Sequence, residues 1–307
     1  MGKTAFLFPG QGAQKQGMGQ DFYENSARSR EIFREADEIL GFSMEDLCFQ
    51  EDPRLDLTEY TQAALLTVSI AMWAEIRGRG YGCDMAAGLS LGEYGALVVS
   101  GGMTFGDAVR VVRRRGQLMQ EAVPAGEGGM AAVMGLTAPA IAAVVDPIPE
   151  VQIANDNCPG QIVISGRLSA VQEACARLKE AGARRTVPLN VSGPFHSSLL
   201  AGAGRELGEL LREVPVNRPR IPYVTNVTGS FVMESDDIRD LLARQVSSTV
   251  RFREDVEAMI AAGADRFVEI GPGRSLSGFV RKISRKVSVC SVGSWQDLDQ
   301  LDALLAD

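Results

Sequence analysis

A serine flanked by glycines, Gly88-Leu89-Ser90-Leu91-Gly92, matches the G-x-S-x-G pattern in which a strand turns sharply into a helix. The glycines permit the strained turn that lifts a hydroxyl clear of a sheet. The first amides of the following helix then face the reacting carbon, where an oxyanion would form. A five-residue pattern also arises by chance in a chain with 33 glycines, so its setting matters. A strand is predicted over 85–87 and a helix over 91–100, the setting a nucleophile requires.

A serine hydroxyl needs a base, most often histidine. The chain has one, His196, in the breaker-rich segment Gly193-Pro194-Phe195-His196-Ser197. A predicted helix over 198–213 follows directly. A helix N-terminus disfavours an imidazolium, which predicts a neutral ring ready to accept a proton. The plainer alternative is a capping or surface histidine, and the elbow weighs against it.

Arg115 is the most informative single position. Along a predicted helix over 104–123, Ala108, Val111, Val112, Leu118, Met119 and Ala122 form one apolar stripe at 100° per residue. Arg115 falls in its middle, while Arg110, Arg113 and Arg114 project onto the polar face. A guanidinium on a buried face needs an anion, and its planar fork suits a carboxylate. A substrate anion, an internal Asp or Glu, and snorkelling at the helix end all satisfy the pattern.

Other signals are weaker. Phe8-Pro9-Gly10-Gln11-Gly12 ends a predicted strand over 5–8 and could aim backbone amides at a ligand. The segment 271–276 lacks the Gly-Lys-Ser/Thr of a phosphate-binding loop. Arg274, Arg281, Lys282, Arg285 and Lys286 form a basic stretch without an intervening acid. It reads either as a solvated helix face or as a docking patch for an acidic partner.

The elements that must position these residues alternate. Strands are predicted over 5–8, 85–87, 266–270 and 287–292, and helices over 59–77, 91–100, 104–123, 198–213, 236–247 and 275–285. That order predicts a mostly parallel sheet covered by helices. Between breaker-rich segments at 124–129 and 188–194 the order changes to strand 130–134, helix 138–146, strands 151–154 and 161–165, helix 168–181 and strand 184–187. This βαββαβ order is the ferredoxin-like unit. The expected fold is therefore a large α/β domain (1–126 and 192–307) interrupted by a ferredoxin-like insert (127–191).

Composition bounds the function. Of 307 residues, 45% are hydrophobic and 23% charged, which excludes wholesale disorder. A net charge of −8 argues against a general nucleic-acid or membrane-surface binder. The five cysteines lack CxxC or His-paired spacing, so neither a zinc site nor a disulfide framework is expected, and an odd count fits a reducing compartment. The longest apolar run is too short to span a bilayer, and no signal peptide is read. A cytoplasmic monomer without metal or permanently bound cofactor is the expectation.

Taken together, the chain resembles the malonyl-CoA:acyl-carrier-protein transacylases of bacterial fatty acid synthesis. The resemblance rests on FPGQGAQ (8–14), TQAAL (61–65), GLSLGEY (88–94), RRGQLMQEAVP (114–124), GGMAAVMG (128–135), ANDNCPGQIVISG (154–166), GPFHS (193–197), TNVTG (225–229) and EIGPGRSL (269–276). It implies an α/β-hydrolase-like large domain with a ferredoxin-like insert. It makes Ser90 the acyl-accepting nucleophile, His196 the general base and acid, and the backbone amides of Gln11 and Leu91 the oxyanion hole. It pairs Arg115 with the malonyl carboxylate and has the Gln245 carbonyl orient the histidine. Asn155 and Asn157 fall near the cleft without an assigned role, and Leu89 replaces the histidine that commonly precedes the serine. Malonyl-CoA and holo acyl carrier protein are the implied partners, the latter docking through Arg281, Lys282, Arg285 and Lys286. Rival readings are an acyltransferase loading polyketide carriers, an α/β-type serine hydrolase, and an idle carrier-binding scaffold.

Overall fold

The structure is a computed structural model that describes residues 2–191, 193–234 and 236–305. Ten strands occur among these residues: β1 (Lys3–Phe8), β2 (Met85–Gly88), β3 (Gly128–Met134), β4 (Val151–Cys158), β5 (Gln161–Arg167), β6 (Arg185–Pro188), β7 (Val224–Thr225), β8 (Ser230–Phe231), β9 (Ala264–Ile270) and β10 (Ser288–Val292).

Four of them form a parallel sheet in the order β10-β9-β1-β2. β1 and β2 are buried almost throughout, which is why they read as short unbroken apolar runs rather than alternating ones. Helices Thr58–Gly78 and Gly92–Val99 pack on the sheet and on each other, and Phe105–Glu121 packs against both helices. The register pairs Phe8 with Gly88, so the loop leaving β1 and the loop leaving β2 emerge side by side. A parallel bridge from Ala86 to Tyr223 brings residues 223–226 alongside the other edge of β2.

A separate antiparallel sheet has the order β4-β5-β3-β6. Its strands alternate faces. Ala131, Val133, Ile162 and Ile164 pack under helices Ala138–Val145 and Leu168–Glu180, while Met130, Ala132 and Val163 join the core of the parallel-sheet region. The small β7–β8 hairpin closes through Gly229 N–H to the Thr225 carbonyl at 3.0 Å.

Most predicted elements occur within a few residues of their expected bounds, with differences that have local causes. The 198–213 stretch splits into a 3₁₀ turn, Ser198–Leu200, and an α-helix, Ala201–Arg212. β4 runs on to Cys158 through two register shifts. Helices Gln20–Asn25, Ala27–Leu40 and Met44–Phe49 were not expected. The second is strongly charged and buries only Ser29, Phe33 and Ala36, so an apolar-run criterion passes over it, although Ser26 caps it from Ser29 N–H. Arg113 also departs from the helical wheel. It lies 2.7 Å from Glu59 and stacks 4.0 Å from the Tyr60 ring centroid, largely covered instead of projecting into solvent.

Candidate active site

Ser90 sits between the end of β2 and helix Gly92–Val99 with φ of +53°. A non-glycine residue held there costs roughly 1–3 kcal/mol, which the surroundings must offset. The two glycines of the motif explain how. A Cβ on Gly88 would overlap the backbone of Gly92, and a Cβ on Gly92 would overlap the Phe8 carbonyl. Strand end, turn and helix start are therefore packed backbone against backbone.

His196 has the same kind of strain, with φ of +59°, and is 4% exposed. Its backbone N–H donates to the Val246 carbonyl at 3.2 Å, and its own carbonyl accepts from Gln152 Nε2 at 3.2 Å. Nε2 lies 2.7 Å from Ser90 Oγ, and Nδ1 lies 2.9 Å from the backbone carbonyl of Gln245. A carbonyl only accepts, so Nδ1 carries the proton and Nε2 is left to accept from the serine. Burial first, and the Arg115 charge second, push the imidazole down to about 4. Both influences favour the neutral ring, and both are tertiary: the cover of the surrounding core and the charge of Arg115.

Arg115 is buried at 1% exposure, on the predicted stripe. Nη1 donates to Gln62 Oε1 at 2.8 Å; Nη2 donates to Gln245 Oε1 at 2.9 Å and to Ser90 Oγ at 3.1 Å. Nε has no hydrogen-bond partner among the described residues. The internal ion pair left open by the helical wheel is not found: among the described residues Arg115 makes no salt bridge, and neutral amide oxygens hold its fork. Glu93 acts on it only through the field. The guanidinium is thus ordered and desolvated without an opposite charge in contact, an arrangement that favours an incoming anion.

The β1 and β2 loops meet beside the serine. Leu89 N–H donates to the Phe8 carbonyl at 3.0 Å, and Gln11 Nε2 donates to Thr58 Oγ1 at 3.1 Å, anchoring its loop. The backbone N–H groups of Gln11 and Leu91 donate to no partner among the described residues. Both residues line the same cleft as Ser90 and His196, a cavity of about 240 Å³. The antiparallel sheet supplies its opposite wall, including Asn155 and Asn157, with the Oδ1 of Asn157 buried and unpartnered. Leu89 and Phe195 add apolar wall.

Sequence reasoning did not assign Gln62, Glu93, Asn226 or Asp255. The first three lie inside quoted motifs, TQAAL, GLSLGEY and TNVTG; only Asp255 lies outside any. Of the basic stretch, Arg274 is tied to Asp297 at 3.2 Å, so it is not a free cation. Arg281, Lys282, Arg285 and Lys286 are exposed, and Lys282 Nζ donates to Gln161 Oε1 at 3.1 Å, at the cleft wall. Among the described residues, no group of three or more His, Cys, Asp or Glu side chains is arranged to hold a metal ion. No helix is long and apolar enough to cross a membrane, again among the described residues.

Residues 5–302 match the acyl transferase domain family. The malonyl CoA-acyl carrier protein transacylase of Bacillus subtilis is 46% identical over 304 residues, 97% of this chain and 96% of that protein. That of Staphylococcus aureus strain MRSA252 is 40% identical over 303 residues, 97% of this chain and 98% of that one. Among solved structures, the malonyl CoA-acyl carrier protein transacylase of Clostridium perfringens matches with a TM-score of 0.96 at 43% identity, covering 99% of this chain and 97% of that one. A malonyl-transacylase solved in complex with a type II PKS acyl-carrier protein matches with a TM-score of 0.95 at 37% identity, covering 99% and 100%.

Proposed function

We propose, for a chain that belongs to the acyl transferase family together with the malonyl CoA-acyl carrier protein transacylases, a two-step transfer in which Ser90 carries the malonyl group. The enzyme is an [acyl-carrier-protein] S-malonyltransferase that takes malonyl-CoA as donor and acyl carrier protein as acceptor, a role that fits fatty acid synthesis.

In the first half-reaction Ser90 Oγ attacks the thioester carbonyl while His196 Nε2 takes its proton. The amides of Gln11 and Leu91 hold the oxyanion, and Arg115 pairs with the distal carboxylate. The C–S bond breaks and His196 protonates the departing CoA sulfur. In the second, the carrier's phosphopantetheine thiol gives its proton to His196 and attacks the ester. The C–Oγ bond breaks, and the same proton returns to Ser90.

The observation that carries this reading is the chain Ser90 Oγ, His196 Nε2, His196 Nδ1, Gln245 carbonyl, with the Arg115 fork on the same serine oxygen. A hydrolase of the α/β type uses the order Ser, Asp or Glu, His, and has no need of a buried cation beside its nucleophile. Here the third member is a neutral carbonyl downstream of the histidine. Intact-mass measurement after mixing with malonyl-CoA should find one malonyl group on the protein and none on Ser90→Ala. Chase with holo carrier should remove it; an adduct surviving in Ser90→Ala would reject the assignment.

The related complex with a polyketide carrier keeps a second reading open, in which the acceptor serves polyketide synthesis. A panel of fatty-acid and polyketide carriers in the chase distinguishes the two. We also assign residues 127–191 to a ferredoxin-like subdomain inserted in a hydrolase-like domain of residues 1–126 and 192–307. The order β4-β5-β3-β6 with two covering helices supports that division. Carrier docking is assigned to Arg281, Lys282, Arg285 and Lys286, supported by their exposure and by the contact of Lys282 with Gln161 at the cleft wall. The enzyme is proposed to work as a cytoplasmic monomer. Its five cysteines are all free, which suits a reducing compartment.

A further inference from the structure

Beneath the nucleophile lies a buried polar cluster that the transfer steps do not use. Its centre is Asn226, 0% exposed and placed beside the end of β2 by the 223–226 segment. Asn226 Oδ1 accepts the Ser90 backbone N–H at 2.7 Å, and Nδ2 donates to the Gly88 carbonyl at 2.7 Å. One side-chain amide therefore grips both ends of the nucleophile turn. A side-chain amide suits this, because Ser90 N–H must find an acceptor and the Gly88 carbonyl a donor, and the amide offers one on each of two fixed atoms. Those two fixed partners also decide which way the amide faces.

The cluster holds Asn226 from three further sides. Asp255 Oδ2, on a fully buried side chain, accepts from Nδ2 at 2.7 Å. Glu93 Oε2 accepts the Asn226 backbone N–H at 3.1 Å and Gln245 Nε2 at 2.6 Å. Gln245 Nε2 also reaches Asn226 Oδ1 at 3.2 Å and the Ser90 carbonyl at 3.0 Å. Gln245 is the residue whose backbone carbonyl holds His196 Nδ1. The turn carrying the nucleophile and the anchor of the base are thus joined through Asn226 and Gln245.

We propose that Asn226 is a positioning residue that holds the strained Ser90 turn at reacting distance from His196, with Asp255 securing the amide nitrogen in the orientation that turn requires. This rests on the assignment of Ser90 as the acyl acceptor. Asn226 touches no substrate and acts through the Ser90 backbone. Its loss lets the turn relax and lengthens the 2.7 Å approach of Oγ to Nε2, and small misplacements of reacting groups are costly in rate.

The test is rapid-quench acylation by saturating malonyl-CoA, followed by intact mass. Asn226→Ala should acylate about 10- to 100-fold more slowly, still reach one malonyl per chain, and half-saturate at a malonyl-CoA concentration within about threefold of the parent. A merely structural role gives the opposite pattern: a reduced final amplitude, with the surviving molecules reacting at the parental rate. That result, or a parental rate at full amplitude, overturns the proposal.

Should Asn226→Ala not fold, Asn226→Asp decides. It keeps an acceptor for Ser90 N–H but sets a carboxyl against Asp255, and a comparable loss of rate is expected. Adding Asp255→Asn returns a donor to that contact and should recover at least about threefold. A parental rate in Asn226→Asp, or no recovery in the double variant, overturns the proposal. If the parent itself forms no Ser90 ester, it is the underlying function that fails, and that outcome is read before any variant.

Discussion

The guanidinium of Arg115 donates to Ser90 Oγ at 3.1 Å, the oxygen that also faces His196 Nε2 at 2.7 Å. A buried cation thus touches the proposed nucleophile and bears on the proposed base. The same placement suits the proposed anionic acyl group and adds to burial in favouring the neutral imidazole.

Arg115→Ala should lose malonyl transfer while tolerating acetyl-CoA. Removing one partner of a desolvated charge pair costs roughly 2–5 kcal/mol, so the malonyl-to-acetyl preference should fall about 30-fold or more. Arg115→Lys should recover little, since an ammonium cannot span Gln62 and Gln245 as the planar fork does. The check is kcat/KM for both acyl-CoAs. An unchanged ratio in an active Arg115→Ala enzyme would remove the carboxylate-binding role.

With the His196 imidazole pushed down to about 4, the free enzyme holds its base in the neutral form at any pH above that. The acid limb of kcat/KM should therefore fall near 4, well below the usual 6.5 of histidine. Arg115→Ala removes a like charge, so its acid limb, followed with acetyl-CoA, should move to higher pH. A limb that stays in place means burial alone sets the shift.

The same depressed value links to stability. Between about 4 and 6.5 the unfolded chain binds a proton on this histidine that the folded chain does not. His196 should therefore lower stability progressively as pH falls through that window, and contribute nothing above it. His196→Gln should flatten that part of the Tm-against-pH curve.

Charge reversal of Arg281, Lys282, Arg285 and Lys286 should raise the carrier's KM about tenfold at low salt, with a smaller effect on the malonyl-CoA half-reaction. Exposed pairs contribute up to about 1 kcal/mol each and are screened, so the difference should shrink at high salt. Carrier kinetics that do not respond at low salt would retire the patch.

Gly92→Ala should place a methyl against the Phe8 carbonyl. Overpacking of backbone on backbone costs about 1–3 kcal/mol or more. A fall of several degrees in Tm with loss of acylation is expected, whereas a stable, active variant would show that the turn has room.

Much of the candidate site was legible in the chain because its signals are local. The G-x-S-x-G spacing works through backbone clearance within five residues. A single histidine left no competitor for the base, and the 3.6-residue period placed Arg115 on a buried face before any fold was known. The order of strands and helices between the two breaker segments likewise survives in the antiparallel sheet. What the chain could not express are contacts between positions far apart. Asn226 lies 136 residues from Ser90 and Gln245 lies 155, and no periodicity links them. Gln245 as an anchor is reached only through the family resemblance and not through its own residue type, since it holds the histidine through a backbone carbonyl that every residue type carries. That Arg115 meets amide oxygens and no internal carboxylate was likewise visible only in the packing, because the wheel shows which face is buried but not what the helix is buried against. Parallel pairing of β1 with β2 and the bridge from Ala86 to Tyr223 bring these distant segments to one point, and only there do a glutamine, an asparagine and two carboxyls become the floor of the Ser90 turn.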